Sequence, residues 1–150
     1  MPSAVRLAYL LTGDTARAGD IAQEAFLKSA VKLTSMRDPQ RFEAYLRRAV
    51  VRTALSDHRS EDRRLARTLR VSRLAPASTI DLGEAIADHV DLVGAVGLLP
   101  ARQRAAVVLR YWLDLPEAEI ADALGCAAGT VKSTLARALD SLRREVQPNV

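Results

Sequence analysis

The sequence predicts an all-α fold, in which two small helical domains are joined by an acidic linker. Aromatic residues make up only 4% of the 150 residues and apolar residues 49%, which favours aliphatic helix packing over a sheet. Apolar residues recur at helical spacing, and no strand pattern is evident. The charge is uneven: residues 1–75 hold 15 Lys/Arg against 8 Asp/Glu, and residues 76–150 hold 7 against 10.

The predicted N-terminal domain, residues 1–70, begins with a short apolar helix over residues 5–11. Asp14 or Thr15 can cap a second helix, which runs to about Leu33. The apolar positions of this helix predict an inward face, which consists of Ala18, Ile21, Ala22, Ala25, Phe26 and Val31. A different, exposed stripe of the same helix consists of Asp20, Gln23, Glu24 and Leu27.

A loop over residues 34–37 precedes the third helix. Asp38 supplies a capping carboxylate and Pro39 suits the first helical position, so the helix begins there and ends within residues 64–70. One side of this helix carries a basic stripe of Arg41, Arg48, Arg52, Ser56, Arg59 and Arg63. The opposing, buried side is predicted to contain Phe42, Leu46, Ala49 and Thr53. A basic stripe with few acids is typical of phosphate binding, although a solvated helix face gives the same pattern.

The predicted linker covers residues 71–82, where helical periodicity is lost. The C-terminal domain, residues 83–150, is predicted to contain a helix over residues 83–97 and another that begins at Pro100. The apolar positions of the latter are Ala106, Val107, Leu109 and Trp112. Residues 76–98 contain acidic residues and no Lys or Arg.

A helix-turn-helix pattern follows, with one helix beginning at Pro116, a tight turn at Gly125 and a longer helix beginning at Ala128 and ending before Pro148. The two helices are predicted to pack through Ile120, Ala121, Leu124, Val131 and Leu135, and the seam continues through Ala138 and Leu142. The outward stripe consists of Thr130, Ser133 and Arg137, flanked by Lys132 and Thr134. Hydroxyl and cationic side chains at these positions can contact base edges or phosphates. An ordinary helical hairpin remains the alternative.

Motifs that would indicate catalysis are missing from the sequence. The single cysteine, Cys126, is expected to be a small buried thiol, because neither His58 nor His89 is close to it in sequence. No zinc-ligand spacing, phosphate-binding glycine loop or nucleophile elbow occurs. We therefore expect no enzyme activity, no cofactor and no bound metal. No apolar run is long enough for a membrane span and no signal pattern is present, so a cytoplasmic protein is the default.

The whole chain resembles the sigma-70 family of bacterial RNA polymerase sigma factors, in its extracytoplasmic-function (ECF) group. In the first domain the resemblance rests on residues 9–14 (YLLTGD), 20–27 (DIAQEAFL) and 44–49 (AYLRRA). In the second it rests on four runs: residues 99–104 (LPARQR), 109–111 (LRY), 119–121 (EIA) and 129–133 (GTVKS). The family has two conserved helical domains joined by a linker. Its members bind core RNA polymerase and direct promoter-specific initiation.

The resemblance implies a role for each set of residues. The stripe of Asp20, Gln23, Glu24 and Leu27 would dock on the basic clamp helices of the largest polymerase subunit. Capture and melting of the minus-ten element would involve Arg37, Arg41, Arg47, Arg48, Arg52 and Arg59. Recognition of the minus-thirty-five element would involve Thr130, Lys132, Ser133, Thr134 and Arg137. The family commonly has an anti-sigma factor that occludes both DNA-facing domains, so this partner is expected too.

The chain departs from the family pattern at several positions. Pro116 stands where the family usually has a capping serine, so that helix is expected to begin without a side-chain cap. Thr134 stands where arginine is frequent, and Val51 and Arg52 stand where Arg-Asn is frequent. Little sequence precedes the first helix, which suggests a clipped N-terminus. Two other functions stay open at this point: a stand-alone helix-turn-helix regulator of transcription, and a helical module that binds only protein.

Overall fold

The computed structural model describes residues 2–33, 35, 37–68 and 87–146, with side chains over 3–33, 35, 37–58 and 92–145. All regular elements in these ranges are helical, as the sequence predicts. The chain divides into two compact units, Met1–Ile80 and Asp81–Val150. The predicted linker, residues 71–82, and two residues of the predicted loop, Thr34 and Met36, lie outside the described residues.

Up to residue 68, where the described part of the first unit ends, three helices pack pairwise against one another: α1 (Pro2–Thr12), α2 (Thr15–Leu33) and α3 (Pro39–Thr68). Helix α1 begins at Pro2, earlier than the predicted residue 5, and Ala4 already belongs to its buried face. Asp14 caps α2, since its Oδ1 accepts the backbone N–H groups of Ala16 at 3.0 Å and Arg17 at 3.3 Å. Both predicted boundaries of α2 are therefore confirmed.

The start of α3 follows the predicted capping arrangement. The Oδ1 of Asp38 accepts the N–H of Gln40 at 3.0 Å, and the carbonyl of Asp38 accepts the N–H of Phe42 at 3.2 Å. Pro39, the first helical residue, has no N–H to satisfy, so it fits here without loss of a hydrogen bond. Next to this start, the rings of Phe26 and Phe42 meet edge to face, 6.4 Å apart, and connect α2 to α3.

The core of the first unit is built largely from alanine and aliphatic side chains. Four of the six predicted inward residues of α2 are buried (Ala18, Ile21, Ala22 and Ala25) and Phe26 is half-buried. The prediction for Val31 is wrong, because 77% of its surface is exposed. Ser29 is buried instead, and its hydroxyl donates to the carbonyl of Ala25 at 2.8 Å. Ser29 lies four residues after Ala25 and therefore on the same buried face of α2. Val31 is two residues beyond Ser29, which turns its side chain away from this face.

The buried face of α3 also differs from the prediction. Leu46 and Thr53 are buried as expected, but Ala49 is only half-buried. Val50, one of the apolar positions through which this helix was predicted to run, is buried as well. The core-facing residues of α3 that the sequence did not single out are Val51, Ala54 and Leu55. The packing of two helices against α3 explains the difference, because it buries a broader face than one stripe of residues can supply.

The described part of the second unit, residues 87–146, contains four α-helices and one π-helical segment: α4 (Ala87–Gly97), α5 (Ala101–Val107), the π-helical segment (Val108–Trp112), α6 (Glu117–Leu124) and α7 (Ala128–Val146). Helix α7 packs against α4, α5 and α6. The sequence predicted one continuous helix from Pro100, but its hydrogen bonding widens after Val107. The N–H of Leu113 bonds to the carbonyl of Val108 at 3.2 Å, five residues earlier.

A buried arginine organises the junction of α4 and α5. Arg104 is only 9% exposed, and its Nη2 donates to the carbonyls of Gly97 at 2.6 Å and Leu99 at 3.1 Å. These carbonyls lie at the end of α4 and in the following turn, where no helical partner is available. Arg104 therefore holds the entry into the C-terminal helices in place.

Candidate functional site

The helix-turn-helix is formed by α6 and α7. Gly125 ends α6 in the left-handed conformation, with φ 67°. The N–H of Gly125 donates to the carbonyl of Asp122 at 3.3 Å, and the N–H of Cys126 donates to the carbonyl of Ala121 at 3.0 Å. This is a Schellman motif, for which glycine is the preferred residue. Pro116 precedes α6 with no side-chain cap, as expected. Cys126, expected to be buried, is a half-buried free thiol.

The packing positions predicted for α6 and α7 are correct. Those that form the core are all buried: Ile120, Ala121, Leu124, Val131, Leu135, Ala138 and Leu142. On the other side of α7, four of the five candidate DNA-binding residues are exposed, namely Thr130, Lys132, Ser133 and Arg137, and Thr134 is half-buried. These five side chains therefore lie on one face of α7, where a ligand can reach them.

Two of these side chains have intramolecular partners. The Nζ of Lys132 lies 3.9 Å from the Oε2 of Glu117, the first residue of α6. The hydroxyl of Ser133 donates to the carbonyl of Thr130 at 3.0 Å, within α7 itself. Glu117 thus places a carboxylate beside the cationic face of α7, which the sequence analysis did not identify.

The first unit presents a second cationic surface on α3. Arg37 and Arg41 are exposed at and before the start of α3, Arg52 is exposed further along, and Arg47 is half-buried. The guanidinium of Arg48, also half-buried, lies 5.6 Å from the centroid of the Tyr45 ring. The side chains of Arg59 and Arg63 lie outside the described residues.

A groove of about 600 Å³ lies between α2 and α3 in the first unit. Its lining residues are Glu24, Lys28, Tyr45, Arg48, Ala49, Arg52, Thr53, Ser56 and Asp57. Ala49 and Thr53 were predicted to lie on the buried side of α3, opposite the arginines. Thr53 is buried as predicted and Ala49 is half-buried, but both also line the groove together with Arg48 and Arg52, so the two sides of the helix are not fully separate. The wall contains a ring, hydroxyls and cations, which together suit an unpaired nucleotide.

The predicted acidic stripe on α2 is exposed along its whole length, through Asp20, Gln23, Glu24 and Leu27. Leu27, the last residue of the stripe, is 61% exposed. The Nζ of Lys28 lies 2.9 Å from the Oε1 of Glu24, so one member of the stripe forms an ion pair at the groove.

An ion pair joins α2 and α3 at the far end of the groove. Arg17 and Asp57 form a salt bridge, in which the Nε of Arg17 donates to the Oδ2 of Asp57 at 3.0 Å. Neither the pair of Arg17 and Asp57 nor the place of Lys28 in the groove was predicted from the sequence. The sequence carries no signal that connects two positions 40 residues apart, such as Arg17 and Asp57. Lys28 and Lys32 give the end of α2 a basic character that could have indicated a contact with phosphate.

The described residues bring together no group of three or more His, Cys, Asp or Glu side chains that could hold a metal ion. Among the described helices, none has both the length and the apolar composition needed to cross a bilayer.

A helix-turn-helix in one unit, and in the other a groove that contains two arginines and a tyrosine ring, are features of a DNA-binding transcription factor that contacts DNA at two places. Comparison with known proteins defines it further. Residues 1–64 match the family model described as Sigma-70 region 2, and residues 89–142 match the one described as Sigma-70, region 4.

Individual proteins give the same result. The chain is 36% identical over 143 residues to an RNA polymerase sigma-E factor of Streptomyces avermitilis, an alignment that covers 95% of the chain and 78% of the relative. It is 33% identical over 148 residues to the ECF RNA polymerase sigma factor SigC of Mycobacterium tuberculosis, covering 95% and 76%. Among solved structures, the sigma factor RpoE of Bartonella quintana, in complex with the anti-sigma factor NepR, matches with a TM-score of 0.73 at 25% identity, covering 99% of this chain and 92% of that one.

The chain belongs to the sigma-70 family, as an ECF RNA polymerase sigma factor. Its function is to bind core RNA polymerase and direct promoter-specific transcription initiation. The family resemblance and the fold class inferred from the sequence are confirmed. The alternative of a stand-alone regulator is not supported, because the match extends through the first unit as well as the helix-turn-helix.

Proposed function

We propose that the exposed face of α7 reads the minus-thirty-five element, with Thr130, Lys132, Ser133, Thr134 and Arg137 as the contacting residues. The support is that their side chains occupy the solvent side of a helix whose opposite side is fully packed. Hydroxyl groups near the helix start allow close approach to the duplex, and Arg137 reaches a guanine edge or a phosphate.

Substitution of Arg137 tests this role. Arg137→Ala is expected to weaken binding of holoenzyme to the upstream duplex by about 1–3 kcal/mol, if the guanidinium contacts a base. Arg143→Ala, an exposed arginine further along α7, is the matched control. Equal loss for cognate and shuffled upstream sequences would show that Arg137 contacts only phosphate, and no loss would remove it from the interface.

For the minus-ten element we propose that the cationic surface of the first unit holds the separated strand, through Arg37, Arg41, Arg47, Arg48, Arg52 and Arg59. The groove supports this proposal, because it places Arg48 and Arg52 beside the Tyr45 ring. An unstacked base can pack on such a ring while its phosphates meet the cations.

Strand opening provides the test. We expect the double variant Arg48→Gln, Arg52→Gln to reduce permanganate reactivity of thymines at the start site more than it reduces initial duplex docking. Arg6→Gln, which removes an exposed arginine of α1, tests whether the loss of a positive charge away from the groove has the same effect. A melting signal equal to that of the unaltered protein would contradict the placement.

We propose that Asp20, Gln23, Glu24 and Leu27 form the polymerase-docking surface. Two features of the stripe support this: carboxylates that complement a basic partner, and an exposed leucine at its C-terminal end. Asp20→Asn combined with Leu27→Ala should weaken association with core polymerase, whereas Glu43→Gln, an exposed acid of α3, should not.

Three further features belong to the proposal. The protein acts through binding alone and catalyses no reaction itself; it works in the cytoplasm, where transcription takes place; and an anti-sigma factor binds it, as NepR binds the sigma factor RpoE of Bartonella quintana. The experiment that tests the whole is reconstitution with core polymerase on a library of upstream fragments. Folded protein that neither binds polymerase nor initiates at specific sites would refute it.

A further inference from the structure

Lys28 is the only cation that α2 contributes to the groove of the first unit, among the described residues. Its Nζ pairs with Glu24 at 2.9 Å, one helical turn earlier, and both side chains line the groove opposite the residues of α3. Because Lys28 faces the same space as Arg48 and Arg52, it can reach a ligand that they bind.

Both carboxylates of the groove wall take part in ion pairs. The wall holds the cations Lys28, Arg48 and Arg52 and the carboxylates Glu24 and Asp57. Asp57 forms the salt bridge with Arg17 described above. Glu24 therefore offsets Lys28, and its removal from the groove would raise the local positive charge by one.

The pair of Lys28 and Glu24 is suited to exchange partners. The two side chains are 63% and 56% exposed, and an exposed pair of this kind contributes little to stability. A phosphate can replace Glu24 as the partner of Lys28, and a basic protein surface can replace Lys28 as the partner of Glu24, without exposing any apolar surface.

We propose that Lys28 is a further phosphate-binding residue for single-stranded DNA in this groove, and that Glu24 couples polymerase docking to strand binding. Glu24 belongs to the proposed docking stripe, so the inference rests on the proposed function. When a basic surface of the polymerase engages Glu24, Lys28 is released to the phosphates of the captured strand. By thermodynamic linkage, a captured strand that engages Lys28 strengthens docking in return.

The first test measures the free, full-length protein with a labelled single-stranded oligothymidylate, by fluorescence anisotropy over a series of salt concentrations. Lys28→Gln should make the slope of log affinity against log salt shallower by about 0.7, the value for one lost phosphate contact to a single strand. Lys32→Gln is the matched control, since Lys32 is exposed on the next turn of α2 and does not line the groove.

The second test concerns the coupling. Glu24→Gln should tighten binding of the oligothymidylate by about two- to fivefold, the factor that an exposed ion pair typically carries. In the Lys28→Gln background this gain should disappear, because a double-mutant cycle isolates the interaction of the two residues. Circular dichroism checks that each variant is folded, which is expected because both positions are exposed.

The inference is overturned if Lys28→Gln behaves like Lys32→Gln, or if Glu24→Gln gives its full gain without Lys28. If Arg48→Gln and Arg52→Gln still weaken binding in either case, strand capture by the groove stands and only the role of Lys28 is lost. If the unaltered protein binds no oligothymidylate even at low salt, the inference also fails, and the permanganate assay in the holoenzyme then decides the proposed function separately.

Discussion

Replacing Arg104 with methionine is expected to destabilise the second unit more than any other single arginine substitution among its described residues. Methionine keeps an apolar stem of similar length but cannot donate a hydrogen bond. The carbonyls of Gly97 and Leu99 would then lose the guanidinium that now binds them at 2.6 and 3.1 Å. The helical ladder offers them no substitute at the end of α4.

The magnitude follows from the surroundings of the two carbonyls. Gly97 is exposed, so water can replace the lost donor there at little cost. Leu99 is 4% exposed, so its carbonyl bears the penalty of a buried, unsatisfied acceptor, about 1–3 kcal/mol. With the charge-assisted bond to Gly97 also lost, we expect the free energy of unfolding to fall by about 2–3 kcal/mol.

Trp112 makes the measurement specific to this unit, because it is the only tryptophan in the chain. Urea unfolding followed by its fluorescence reports the second unit alone, and circular dichroism reports both units. Arg143→Met is the control, because Arg143 is exposed and its loss should change stability by less than about 0.5 kcal/mol. An equally small effect of Arg104→Met would refute the reasoning, since the cost of burying the guanidinium would then equal the worth of its hydrogen bonds.

Two other predictions concern one residue of each unit. Glu117→Gln should strengthen binding to a random-sequence duplex at low salt, because Lys132 loses the carboxylate that now lies 3.9 Å away. The same gain in a Lys132→Gln background would contradict this explanation. Asp14→Ala should lower the free energy of unfolding of the first unit by about 1 kcal/mol, because the first turn of α2 loses its acceptor. The change is measured by circular dichroism, as the part of the urea transition that the fluorescence of Trp112 in the second unit does not share. Asp14→Asn should keep most of the stability, and a loss as large as that of Asp14→Ala would point to charge rather than capping.

Local signals explain why most helix boundaries could be predicted. Capping by Asp14 and Asp38 and the left-handed conformation of Gly125 each depend on residues within a few positions in the chain. The same holds for the buried seam of α7, because one helix period relates its members. The exposed stripe of α2 is likewise a matter of spacing within one helix.

Predictions that depended on neighbouring helices were less accurate. Val31 has the apolar character of a core residue but faces solvent, while Ser29 lies on the buried face, where its hydroxyl is satisfied by the carbonyl of Ala25. Ala49 was assigned to the core and instead lines the groove. The π-helical segment after Val107 was not predicted either, because its sequence carries no breaker and its hydrogen bonding is set by packing.

By itself, the sequence determined the helical class, the division of charge, the helix-turn-helix and the family, because periodicity, capping and motif order are properties of a chain read in one dimension. Only the tertiary structure determines which charged side chains lie close to one another. It brings Lys28 and Arg52 to one groove and Arg17 to Asp57, and it sets Glu117 beside Lys132. Charges act through distance and exposure, and only the packing of helices against one another fixes those two quantities.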